Sequence, residues 1–169
     1  METTGKLFML FVAFSVSFAS CSKNIREYRA GNLNSDKKLL IATTGSEFKN
    51  RLVDDIVKKY HQSCSIKVIP LNSLKDVSTM DYTAIVLVDR ALAWTMFNFA
   101  IKKFTQNAEE KDKIILFMTV NDTGWKVNVN DIDTVTSASQ PAGYDIAYEK
   151  LILSLDRKIS GINHSTREE

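Results

Sequence analysis

Leu39-Leu-Ile-Ala42-Thr43-Thr-Gly-Ser46-Glu47-Phe-Lys-Asn-Arg-Leu52-Val-Asp-Asp-Ile56-Val-Lys-Lys-Tyr60 is the stretch on which the fold turns. It opens with a short apolar run that follows two lysines, passes through a Thr/Gly/Ser turn, and continues with Phe48, Leu52, Val53, Ile56, Val57 and Tyr60 on one helical face. A continuous apolar run bounded by turn residues reads as a buried strand, and apolar positions recurring every three or four residues read as an amphipathic helix. Strand, turn and helix in this order make half of a βαβ unit.

Working outward toward the C-terminus, the same alternation repeats. Ile66-Lys-Val-Ile69 ends at Pro70, and the segment from Leu71 to Asp81 has room for a helical turn. Ala84-Ile-Val-Leu-Val88 is apolar without interruption, as expected of a parallel strand covered on both faces. Met96, Phe97, Ala100, Ile101 and Phe104 then repeat at helical spacing, and Lys113-Ile-Ile-Leu-Phe-Met-Thr119 is a fourth strand of the buried kind. Ile132-Asp-Thr-Val135 supplies a weaker fifth, and Tyr148, Leu151, Ile152, Leu155 and Ile159 form the apolar stripe of a closing helix. Between these last two, Thr136 to Ser139 read as a turn leading to Pro141 and Gly143. The expectation is an α/β domain over residues 38–160: a doubly wound parallel sheet of about five strands with helices on both faces.

The first strand and the loop after it resemble those of flavodoxins, in which a Ser/Thr-X-Thr-Gly-X-Thr loop wraps the phosphate of FMN. Here the loop is Ala42-Thr43-Thr44-Gly45-Ser46-Glu47: Thr44 and Gly45 match, whereas Ala42 and Glu47 stand where the family has hydroxyls. The resemblance implies the strand order 2-1-3-4-5 and non-covalent FMN binding for electron transfer to a redox partner protein or a quinone, with Thr43, Thr44, Gly45 and Ser46 at the phosphate. It also implies aromatic side chains flanking the flavin ring from the loops after the third and fourth strands. The two tryptophans, Trp94 and Trp125, follow those strands. Against this, a carboxylate in the first turn of a helix repels a phosphate there while favouring the helix dipole, so the loop also reads as a plain turn with Ser46 or Thr44 as N-cap. The alternative function is then a flavin-free binding or scaffolding domain on the same fold. Asp133-Thr-Val-Thr136-Ser-Ala-Ser139 is a poor match to the signature of covalently flavinylated domains, since Ser137 and Ser139 replace its glycine and threonine.

Toward the N-terminus, Lys6 precedes the apolar run Leu7–Phe14, which weakens through Phe18 and closes on Ala19-Ser20-Cys21. A positive start, an apolar centre of about a dozen residues and small residues at a cut site form a signal peptide, too short for the roughly 18 residues of a permanent span. Phe18-Ala19-Ser20-Cys21 resembles the bacterial lipobox, with an aromatic in place of the usual aliphatic residue. The resemblance implies cleavage after Ser20, acylation of Cys21, and anchoring to membrane lipid in the cell envelope, on a periplasmic or outer-membrane face. Residues 1–20 are then the signal, 21–37 a lipidated N-terminus with a solvated linker, and 161–169 a polar tail.

The remaining composition is restrictive. A formal charge of +2 and no clustered basic stretch argue against nucleic acid as a partner. Cys64 is the only cysteine besides Cys21, so no disulfide framework is expected. His61 and His164 lack metal-ligand spacing, and Asp89 and Asp122, which end the third and fourth strands, read as surface turn residues.

Overall fold

The computed structural model describes residues 25–91, 98–120, 129, 131–138 and 143–161. In chain order the elements are strand β1 (Tyr28–Gly31), β2 (Lys38–Thr43), helix α1 (Glu47–Tyr60), β3 (Ser65–Pro70), β4 (Ala84–Arg90), α2 (Phe99–Asn107), β5 (Ile114–Val120), β6 (Asp133–Ala138) and α3 (Tyr144–Ser160). The crossover from β3 to β4 consists of two short 3₁₀ turns, Leu71–Asp76 and Thr79–Asp81.

The six strands lie in the order β1-β3-β2-β4-β5-β6. All neighbours pair in parallel except β1, which runs antiparallel to β3 at one edge. Numbered among themselves, the five parallel strands are ordered 2-1-3-4-5, and the doubly wound flavodoxin-like architecture is therefore present as the sequence led us to expect.

Alternation along the strands explains why they read as unbroken apolar runs. Leu39 and Ile41 of β2, Val86 and Val88 of β4, and Ile115 and Phe117 of β5 face a core shared with α1 and α3. Leu40 and Ala42, Ile85 and Leu87, and Leu116 and Met118 face a second core with α2 and the Leu71–Asp76 turn. Successive side chains point to opposite faces of a strand, so a sheet covered on both sides calls for apolar residues at successive positions of its central strands.

Two expectations need correction. Residues 21–37 were expected to form a flexible linker, yet from Tyr28 the chain is part of the sheet. Gly31, at φ +78°, makes the turn out of β1, the Asn32 N–H donates to the Cys64 carbonyl at 3.0 Å, and the Glu27 carboxylate pairs with Lys67 at 2.9 Å. Thr136 to Ala138, read as a turn, instead extend the last strand, because β5 continues to Val120 and offers a partner at every position through the Val120–Ala138 pair. The closing helix starts at Tyr144, directly after Gly143, where the sequence placed its entry.

Candidate functional site

Parallel strands end at a common edge, and in open α/β sheets the crevice at that carboxyl edge is where ligands bind. The Thr43–Ser46 loop sits there, between the end of β2 and the start of α1. Thr43 is fully buried, and its hydroxyl donates to the neighbouring Thr44 carbonyl at 3.0 Å. Ser46 is the N-cap of α1: its backbone is extended and its Oγ accepts from the Lys49 N–H at 3.3 Å. Among the described glycines only Gly31 and Gly161 have positive φ, so the loop turns at Gly45 without the left-handed conformation.

Asp89, which the sequence reading left at the surface, and Lys49 complete the cluster. Register pairs Thr43 with Val88, so the next residue of β4, Asp89, comes beside Thr44. The Thr44 hydroxyl donates to Asp89 Oδ1 at 3.1 Å. Lys49, one turn into α1, bends its ammonium back over the loop to hydrogen-bond the Thr44 hydroxyl and to pair with Asp89 Oδ1 at 3.4 Å. The lysine and aspartate side chains are each only 8% exposed. Asp89 is thus buried and ion-paired, where the sequence suggested a surface turn. Beyond it the Ala91 N–H donates to the Thr119 carbonyl at 2.8 Å and the Thr119 hydroxyl to the Asp89 carbonyl at 3.5 Å, which keeps β4 and β5 paired past the aspartate.

Burial pulls the Lys49 pKa below the ordinary lysine value; Asp89 pulls it back up by charge and hydrogen bond, and Arg90 adds to the lowering. Desolvation disfavours the charged form of a buried amine, and the paired carboxylate offsets this only in part.

The donor set fits a flavin phosphate poorly. The Thr43 and Thr44 hydroxyls are directed at a carbonyl and a carboxylate of the protein itself, Ser46 is engaged at the helix cap, and the one nearby ammonium is committed to Asp89. A phosphate drawing Lys49 away would leave the buried Asp89 carboxylate unpaired next to a dianion, with the exposed Glu47 in the first turn of α1 adding to the repulsion. Among the described residues, the amides at the start of α1, the Ser46 hydroxyl proton and the exposed Arg90 remain as anion donors.

Cys21, Trp94 and Trp125 lie outside the described residues, as do Asp122 and His164. The ends of β4 and β5 do place the chain leaving toward both tryptophans at this carboxyl edge. His61 sits just past α1, its Nδ1 2.7 Å from the Lys58 carbonyl. Among the described residues no group of His, Cys, Asp and Glu could hold a metal ion, Cys64 is a buried free thiol, and no helix is long and apolar enough to cross a membrane.

No family model and no curated protein matches this chain. Solved structures that resemble it include oxidised Flavodoxin 2 from Bacillus cereus, with a TM-score of 0.47 and 12% identity over 71% of this chain and 99% of that one. A flavodoxin from the domain Archaea gives a TM-score of 0.43 and 9% identity over 72% of this chain and 98% of that one. The Francisella novicida lysine decarboxylase gives 0.45 and 14% over 75% of this chain but only 18% of that one. By its own strand order this chain carries a flavodoxin-like α/β domain, with an internal Thr44–Lys49–Asp89 cluster joining the loop after β2 to α1 and β4.

Proposed function

We propose that the chain is a membrane-anchored lipoprotein whose flavodoxin-like domain is a flavin-free binding module. What carries the reading is the Lys49–Asp89 pair, which neutralises and closes the Thr43–Ser46 loop from within. The lipobox-like Phe18–Cys21 sequence supports the anchor, and two or more acyl chains hold a protein on a bilayer stably.

The second reading, non-covalent FMN for electron transfer, is favoured by Trp94 and Trp125 following adjacent strands of the sheet. There the flavin would supply the redox chemistry, and this chain's residues would only bind and orient it. Titrating the chain from Ser22 onward with FMN decides between the two. The proposal expects a colourless protein whose tryptophan fluorescence is unmoved by millimolar FMN. Flavin absorbance that survives desalting overturns it and establishes the redox reading. The anchor is checked separately: Cys21→Ser should move the protein from the membrane to the soluble fraction and abolish an acyl mass on its N-terminal peptide.

A further inference from the structure

We infer that the carboxyl edge of the sheet, with the Thr44–Lys49–Asp89 crevice, is the face held against the bilayer. The inference rests on the lipid attachment at Cys21 proposed above and adds an orientation to it.

β1 sets where the N-terminal segment meets the body. Its register, Tyr28 with Val68 and Gly31 with Ser65, runs opposite to β3, so the chain enters β1 at the carboxyl edge of the parallel strands. Just before the strand, Glu27 is fixed to Lys67 at 2.9 Å, and Ile25 packs against the core shared with α1 and α3. The chain is therefore held to the body from Ile25 onward. Only three residues lie between Cys21 and Ile25, so four residue steps join them. Four such steps span at most about 14 Å. A domain of about 130 residues has a radius of gyration of about 14 Å, so its far edge lies well beyond the reach of such a tether. A lipid on Cys21 thus keeps the carboxyl edge at the membrane and the amino edge, with Asp36, Asp81 and Asp112, away from it.

The chemistry of the near edge suits a lipid surface. Arg26, ahead of β1, and Arg90, at the end of β4, are exposed. Phe99, the first residue of α2, is 78% exposed and lines a hollow with Asn72, which follows β3 by two residues. Arginines and an exposed aromatic are groups that settle at a headgroup boundary. Glu47 and Asp145, in the first turns of α1 and α3, oppose them with two exposed carboxylates, while that of Glu27 is already paired.

The test uses the full lipidated chain in vesicles containing anionic lipid and a headgroup spin label. A fluorophore is attached at Asn72→Cys on the carboxyl edge or at Asp36→Cys on the amino edge; native Cys64 is fully buried and does not compete. The expected result is quenching several-fold stronger at position 72 than at 36. Inserting a flexible Gly/Ser linker of about 20 residues between Asn24 and Ile25 should weaken that contrast. Equal or inverted quenching in a protein whose mass shows the acyl chains overturns the orientation and leaves the anchor standing. A chain without acyl mass that stays in the soluble fraction overturns both.

Discussion

At the scale of single residues, the lysine and aspartate of the loop are the most consequential finding. Their side chains are 8% exposed, so removing one partner strands the other charge in the interior. Lys49→Met should destabilise the domain by about 3 kcal/mol, as should Asp89→Leu, whereas the double variant should recover most of the loss because no charge is left behind. Urea unfolding of the four proteins checks this; single and double losses that simply add would show the pair to be uncoupled. Ser46→Ala removes the acceptor for the Lys49 N–H and should cost about 1 kcal/mol. The sequence disclosed this site unevenly. Ser46 as a cap could be read from its place before the helical pattern, and the Thr-Gly turn from composition. Lys49 could not, because it occupies a polar position of α1, and such lysines ordinarily extend into solvent. Its burial depends on Asp89, forty residues away and brought beside Thr44 only by the β2–β4 register. An aspartate ending a strand was the available signal, and pairing it with a lysine one turn into the first helix would have been the step to take.

At the scale of elements, the parallel strands and the helices were legible because each carries a periodic or continuous apolar signal, whereas β1 was not. Tyr28-Arg-Ala-Gly31 is four residues long, lies at a sheet edge, and is mostly exposed, so it needs no apolar alternation. What fixes it is tertiary: the ladder to β3 and the tight passage at Gly31. A Cβ at that position would stand 2.4 Å from the Cys64 carbonyl oxygen, in a backbone conformation that side chains disfavour. Gly31→Ala should therefore cost about 2 kcal/mol. It should also loosen β1 selectively, with amide protection lost over Tyr28–Gly31 before it is lost in β4 or β5. Uniform loss of protection across the sheet would show instead that β1 is integral to the cooperative core. The same tertiary logic explains β6, whose Ser- and Thr-rich end was read as a turn and is kept in the sheet by its neighbour.

For the whole molecule, the two layers on the sheet are joined differently, and the difference predicts how stability responds to pH. On the α1/α3 side, phenols span the two helices. The Tyr60 hydroxyl donates to Asp156 at 2.7 Å, the Tyr144 hydroxyl donates to Asp55, and the Tyr148 hydroxyl donates to the Asp55 carbonyl at 3.3 Å. Burial raises the pKa of Tyr60 and of Tyr144 well above the ordinary phenol value of 10.0, and the hydrogen bond to a carboxylate raises each further. Tyr148 is raised in the same direction, by burial and by the charges of Asp55 and Asp156. A raised native pKa means that the folded chain holds protons the unfolded chain has released. This contribution is complete below pH 10 and is lost as pH climbs from there toward the native values. Lys49 acts in the opposite sense: its lowered native pKa makes the folded chain release a proton earlier than the unfolded one, so stability gains from it as pH approaches the ordinary lysine value of 10.5. The wild-type profile therefore mixes the two, and the difference against Tyr60→Phe/Tyr144→Phe isolates the phenols. That variant should unfold more easily below pH 10 and lose less stability than the wild type about one unit above it, as read from urea midpoints. Parallel profiles for the two proteins would mean that the phenols ionise alike in both states and that the α1–α3 contact rests on its apolar stripe alone.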